Sequence, residues 1–449
     1  MSVKIFRSTD TNAPKLNGIA GSLVDVLLAC LVNGYGSSFA TGTITSSGVN
    51  VSNNDTVTVD NVTYTFKTSL TPAANEVLIG ASAAASLANL AAAINLQGTS
   101  GTTYGASTQT PKQAYASAVS STVITITARR GGSTGNAVAL AKSAATLTLS
   151  ASTLAGASGS DSTTSADWSN PYSGNGGQRT FKGGSGIQHF FHVDDATPNT
   201  TALGKEAGWY GTETATGFQT GTGLFPTAAQ LSTGLLARKS TTADLTSRSW
   251  TVIADDRTCY VMMQSGDTVG MYMTMAFGEI YSRLSPGPDA YRSFTQGRTL
   301  ANNGAILSTT DTSSTITTFG TQLAGCYLSR AYTGGGTAIQ FGKHIDGAYI
   351  TGTSVMGNNT NLAGVDPATG SIKLCPVRIS EIAINNAMRG RFRGLFSHLH
   401  TSTTFGDQDP IVGSGAFTGR SFLVFRTIAG NGGSLGSWVF DLTGPWDTN

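Results

Sequence analysis

Charge is scarce in this chain. Asp, Glu, Lys and Arg make up 12% of 449 residues, about half the share of an average soluble domain. The balance of 27 basic and 25 acidic residues leaves a net charge of +2. A near-neutral chain without a basic run lacks the phosphate contacts that supply most nucleic-acid affinity, so no nucleic-acid partner is expected. No apolar run reaches the ~18–20 residues of a membrane-spanning helix, so no membrane partner is expected. Cysteine is also sparse. Cys30, Cys259, Cys326 and Cys375 stand far apart, with no paired spacing of the kind that builds zinc or redox sites. They read as core thiols. The opening MSVKIFRSTD has no apolar stretch of the signal-peptide type, so synthesis in a cytoplasm is expected.

Small and β-favouring residues fill the chain instead. Gly numbers 56, and Ser and Thr together number 113. With 39% apolar residues, the chain can bury a core and is not a disordered one. Its length suggests about two to four domains. Scattered β-branched runs between turn clusters point to a mainly β fold.

Composition shifts sharply within the chain. Between Gly36 and Asp167 there is no Trp, Cys, Met or His, and only nine charged residues; all five Trp and all eight Met lie outside. This predicts residues 1–36 and 167–449 as one core domain, interrupted by an inserted domain over 37–166. Insertions of this kind succeed at exposed loop tips. The segment Gly156–Ser165 reads as a flexible Gly/Ser/Thr linker closing the insert.

Within the insert, Asp55–Asp60 and Val62–Lys67 alternate apolar and polar residues around a turn at Asp60-Asn61, which predicts a β-hairpin. Ala81–Asn95 predicts a helix with Leu87, Leu90 and Ile94 on one face and Gly98 as its stop. Ser121–Ala128 predicts a strand, and Thr146–Leu149 another. The order ββαββ describes a small α+β module.

The core domain opens with a helix of about 15 residues, with Asn17 as cap, Gly34 as stop, and Ile19, Leu23, Val26, Leu27, Cys30 and Leu31 on its apolar face. After the insert, strands and turns alternate. The strand runs include Ile187–Val193, Trp250–Ala254, Thr258–Met263, Val269–Met275, Val377–Ile384 and Phe422–Phe425, as in an antiparallel sandwich or meander.

Candidate chemistry is thin. His189 and His192 stand three apart, so on a strand they point to opposite faces and do not share a metal. His398 and His400 share a face and read as an interfacial or solvated pair. Asp255 and Asp256 sit between two strands, where Asp serves turn geometry. No nucleophile elbow, zinc-protease or phosphate-loop motif is present, so no enzyme activity and no cofactor is expected. Met262, Met263, Met271, Met273 and Met275 mark a Met-rich region suited to a core or a subunit interface. Arg389, Arg391 and Arg393 form the one basic cluster, read as a solvated loop, an intersubunit bridge or a docking point for an acidic partner.

Several stretches carry a resemblance. They are Ile19–Gly36, Thr222–Pro226, Lys239–Asp244, Asp255–Tyr260, Phe277–Ile280, Arg389–Phe396 with Leu399-His400, and the closing Asp441–Trp446. In order, they resemble a family of tailed-bacteriophage virion structural, tail-associated proteins. In that family the opening helix runs almost directly into the segment of Trp168, so the insert departs from the pattern. The insert itself, over Asp55–Asn95, is similar to a module of phage tail and fibre-type proteins. The resemblance implies a non-enzymatic virion component of tail, baseplate or neck. It implies partners among copies of itself, in a trimer or hexamer, other virion proteins and a host surface. The alternatives are a capsid decoration protein or a host-binding adhesin with the insert as its head. On this reading Leu23, Leu27, Met271, Met273, Arg391 and Arg393 are expected as assembly contacts.

Overall fold

The computed structural model describes residues 2–197, 204–231, 234–264, 273–282, 289–298, 324–335, 339–341, 355–356, 375–381, 387–400, 410–412, 418–426 and 435–446. The fold is mainly β, with antiparallel sheets and two α-helices among the described residues.

Helix α1 spans Ser22–Leu28 and continues as a π-helical turn over Ala29–Asn33. It is shorter than the 15 residues expected. Asn17 is not its cap, because its Oδ1 accepts from the Ile19 amide 3.3 Å away. The cap position belongs to Gly21, in the left-handed region at φ 87°. Gly34 does end the turn, at φ 79°. Ser22, Leu23, Val24, Val26 and Leu27 are all buried. A helix buried at all these positions is enclosed on most sides, and α1 lies between the surrounding domain and the inserted segment, with Asp25 as its one charged residue.

The strands of the surrounding domain form consecutive antiparallel pairs. Ser169–Ser173, Gln178–Lys182, Phe190–Asp194, Glu206–Thr212 and Leu235–Arg238 make one meander. Lys4–Arg7, Trp250–Ala254, Thr258–Met263, Met273–Ser282, Ser293–Arg298 and Ala324–Leu328 make another. Strand Met273–Ser282 also pairs through Ile280 to Ser282 with Ala387–His400, which leads into Leu435–Asp441 and Ser421–Arg426.

Strands Trp250–Ala254 and Thr258–Met263 are buried at every position. Alternation explains this. Val252, Ala254, Cys259, Val261 and Met263 face one core with Trp168, Phe191 and Phe277. Ile253, Tyr260 and Met262 face a second core with Phe294, Phe392 and Trp446. A strand covered on both faces reads as a continuous apolar run, as these two do.

Residues 40–157 carry a separate hydrophobic cluster, joined among the described residues only by Ala20 and Ala196 from outside. Helix α2, Ala83–Asn95, is capped by Ser82, whose Oγ accepts from the Ala85 amide at 3.2 Å. The hairpin Thr56–Val59 with Val62–Lys67 forms as the alternation predicts. The segment is richer than ββαββ, however. Thr41–Ser46, Glu76–Leu78, Ala114–Val119 and Leu140–Lys142 are also strands. They complete two four-stranded sheets, one ordered Ala114–Val119, Val123–Ala128, Thr41–Ser46, Leu147–Leu149, the other Glu76–Leu78, Val62–Lys67, Thr56–Val59, Leu140–Lys142. Thr41–Ser46 has Ile44 as its one large apolar residue, too weak an alternation to read.

The stretch after Gly156 is not a free linker. The Ser38 amide donates to the Ser158 carbonyl (3.0 Å), and Tyr35 and Thr163 exchange two backbone bonds (3.0 and 2.9 Å). The Ser37 hydroxyl donates to Asp161 at 2.6 Å. The two ends of the inserted segment therefore run side by side, and hydrogen bonds hold a sequence whose composition alone reads as flexible.

Candidate functional site

The most elaborate arrangement of polar groups lies where α1 meets the inserted segment. A cleft of about 310 Å³ opens there. Its charged lining is Asp25 from α1, Lys112, Arg129 and Arg130 from the insert, and Arg179 from strand Gln178–Lys182.

Arg129 ties the two parts together. It is nearly buried, and its Nη1 reaches Asp25 Oδ2 at 2.7 Å. Its Nε donates to the Ala114 carbonyl (3.1 Å) and its Nη2 to the Ala20 carbonyl (3.0 Å) and the Thr110 hydroxyl (3.1 Å). The guanidinium lies against Gly21. A Cβ there would stand 2.5 Å from Nη1, at a φ of +87° that side chains avoid. Glycine at position 21 thus lets the arginine enter. Burial raises the Asp25 carboxyl above its ordinary range, and the Arg129 charge opposes that rise.

Arg179 donates Nη1 to the Asn175 and Gln178 carbonyls at 2.7 and 2.8 Å. Burial lowers its basicity, partly offset by Asp25. With four cations and one carboxylate, the cleft suits an anionic group.

Behind the cleft a second pair is sealed from water. Lys239 Nζ lies 2.5 Å from Asp195 Oδ1, with neither side chain exposed. Lys239 also donates to the Ile19 carbonyl and, at 2.9 Å, to the Ser22 hydroxyl. Asp195 Oδ2 accepts from the Leu23 amide at 2.8 Å. Burial pushes the Asp195 carboxyl up to about 6 and lowers the Lys239 ammonium, each drawn back by the other's charge.

The residues singled out from sequence fall elsewhere. Leu23 and Leu27 have no exposed surface and belong to the chain's own core, so as assembly contacts they are corrected to core residues. Met262, Met263 and Met275 are likewise core. Met273 pairs with Met263 in register, and Met271 lies outside the described residues. The basic cluster is no solvated loop: it is part of strand Ala387–His400. Arg389 is fully buried on Asp289 (2.8 Å), and Arg393 is buried on Asp255, which removes both from any partner surface. Each folds a distant carboxylate into the interior. Arg391 is partly exposed, its guanidinium 5.0 Å from the centre of the Tyr281 ring.

His189 and His192 do not meet at a metal. His192 is buried between the Thr180 and Thr212 hydroxyls at 3.0 and 2.9 Å, while His189 packs near the Phe225 ring. Burial lowers both to about 4. Asp255 takes the Arg257 and Thr258 amides at 2.9 and 2.8 Å, as a turn aspartate does. His398 and His400 pair with Ser437 and Leu435 in register, their side chains outside the described residues. Cys30, Cys259 and Cys326 are buried free thiols. Among the described residues no cluster of three or more His, Cys, Asp or Glu could hold a metal, and no helix is long and apolar enough to cross a membrane.

Sequence reading missed Arg129, Arg179, Asp195 and Lys239. Arg129 carried one available signal, as a charged residue next to an apolar strand in a segment nearly free of charge. Compared with known proteins, the chain matches no family model and has no significant match to a curated protein.

Proposed function

We propose that the chain is a non-enzymatic structural component of a tailed-phage virion, in the tail, baseplate or neck, acting through assembly with copies of itself and with neighbouring virion proteins. One observation carries most of this reading. The inserted segment has its own core, its two ends are hydrogen-bonded to each other, and a buried ion pair holds it to α1. A module mounted this rigidly suits a protein that transmits position from one neighbour to the next. The cationic cleft supports the same reading, because acidic side chains of a neighbour can reach it.

A second role, as capsid decoration or host-binding head, draws on the tip of the insert. Val49 and Val119 are 62% and 42% exposed. The register places Val119 at the end of the sheet where Thr45 faces Val123, opposite the end where Ala128 borders the cleft, and Val49 follows strand Thr41–Ser46 by three residues at that same end. Apolar side chains at a projecting tip suit a contact surface.

Copy number tests these readings. Quantitative mass spectrometry of purified virions of the phage encoding this chain is expected to find a few copies per hundred capsid subunits. A ratio near one per capsid subunit would move the chain to the head surface. Its absence from purified particles would overturn the structural reading.

A further inference from the structure

The Lys239–Asp195 contact is more than an ordinary ion pair in its geometry. At 2.5 Å with both side chains sealed from water, Asp195 Oδ1 still receives no hydrogen bond of ordinary angular geometry. The amine therefore does not approach along the direction of a hydrogen bond, although a buried, charged oxygen left without one is costly. We propose that Lys239 and Asp195 join through an intramolecular amide bond, which the chain forms by itself with loss of one water.

The surroundings supply what that reaction needs. Both residues are fixed by the backbone at adjoining places. Asp195 follows strand Phe190–Asp194 and Lys239 follows strand Leu235–Arg238, and both strands pair with Glu206–Thr212. The Asp195 amide donates to the Gly177 carbonyl (2.7 Å), its carbonyl accepts from Gly21 (2.9 Å), and the Lys239 amide donates to the Lys205 carbonyl (2.9 Å). Holding two reactants in place in this way removes most of the entropic cost of joining them. Burial shifts both groups toward their uncharged forms, an amine and a carboxylic acid. Those neutral forms are the reactive ones.

The step balances without any external reagent. One proton passes from the Lys239 ammonium to Asp195 Oδ1. The lone pair of Nζ then attacks Cγ, and negative charge gathers on Oδ2. The Leu23 amide already donates to Oδ2 and stabilises that charge. A second proton moves from Nζ to Oδ1, the Cγ–Oδ1 bond breaks, and water leaves. The amide nitrogen keeps one hydrogen, with the Ile19 carbonyl as its acceptor.

The link would close a loop from residue 195 to residue 239 and lock the seat of α1. It requires no metal, and no cysteine.

Peptide mapping of the full-length protein after complete denaturation tests this directly. The intact mass is expected to fall short of the sequence mass by one water. Trypsin is expected to release residues 183–205 joined to residues 239–248, with no cleavage after Lys239. The Lys239→Met protein is expected at its full sequence mass, folded or not. An intact mass without that deficit, with cleavage after Lys239 and a free 183–205 peptide, would overturn the bond and leave a buried ion pair.

Discussion

The inserted segment and the domain around it stabilise their interiors with different chemistry. Residues 40–157 pack Ala, Val, Leu and Ile with two tyrosines and one phenylalanine around α2, and meet their polar needs largely through Ser, Thr and Asn hydroxyls and amides, with Glu76 as a buried carboxylate beside Lys67. The surrounding domain packs tryptophan, phenylalanine and methionine on both faces of its central strands, and buries whole ion pairs such as Arg389 on Asp289. Small side chains let strands and helix approach closely but bury little area each. Aromatic side chains bury far more and leave backbone and charged groups that must be satisfied internally. The two regimes meet at Arg129, the one residue of the insert that brings a buried charge to the other side.

The contrast can be broken first at that junction. Arg129→Met is expected to cost about 3–5 kcal/mol, because it leaves Asp25 buried and uncompensated. Denaturant unfolding measures the loss, and adding Asp25→Leu should recover part of it. A loss below ~1 kcal/mol would mean that water already reaches Asp25 and that the parts are only loosely joined.

The independence of the two interiors is the next point of attack. Leu90→Ala in α2 and Leu27→Ala in α1 should each cost about 2–5 kcal/mol, since both side chains are fully buried. All five tryptophans lie outside the insert, so tryptophan fluorescence reports on the surrounding domain alone. Leu90→Ala is expected to shift the far-ultraviolet circular dichroism transition and leave the fluorescence transition in place. If both move together, the chain unfolds as one unit.

Acid separates the regions more gently. The insert has no histidine, whereas burial lowers His189 and His192 of the surrounding domain to about 4. A lowered folded value means that the unfolded chain binds protons the folded one refuses. Stability is then full above about pH 6.5 and falls as pH drops toward 4, by roughly 1.4 kcal/mol per pH unit for each ring. Urea unfolding followed by fluorescence at pH 7 and pH 4.5 checks this, and His192→Gln should flatten the slope.

The smallest effect sharpens the picture of the insert. Ser82→Ala removes the cap of α2 and should cost about 1 kcal/mol, visible in far-ultraviolet melting and silent in fluorescence.

Legibility varied with the range of the forces involved. Helix α2 was readable because Ala and Leu at helical spacing act locally, and the hairpin over 56–67 because Val and Tyr alternate about a turn. Strand Thr41–Ser46 was not, since its Thr and Gly residues are held by neighbours on both sides rather than by their own preference. The stretch after Gly156 looks flexible in isolation and is ordered by partners 120 or more positions earlier in the chain. Arg389 and Arg393 looked like a surface patch because their carboxylate partners, Asp289 and Asp255, are about a hundred residues or more away. The candidate site was the least legible part, as its charged groups come from four separate places in the chain.

By itself, then, the sequence determined the β-rich class, the break in composition at residues 37–166 and the burial of Cys30, Cys259, Cys326, Met262, Met263 and Met275, because these follow from residue type and short-range periodicity. Tertiary structure alone decided which charges are interior, that the insert is braced rather than tethered, and that Lys239 meets Asp195. Those outcomes depend on long-range pairing, where each group is chosen by what burial leaves unsatisfied elsewhere in the chain.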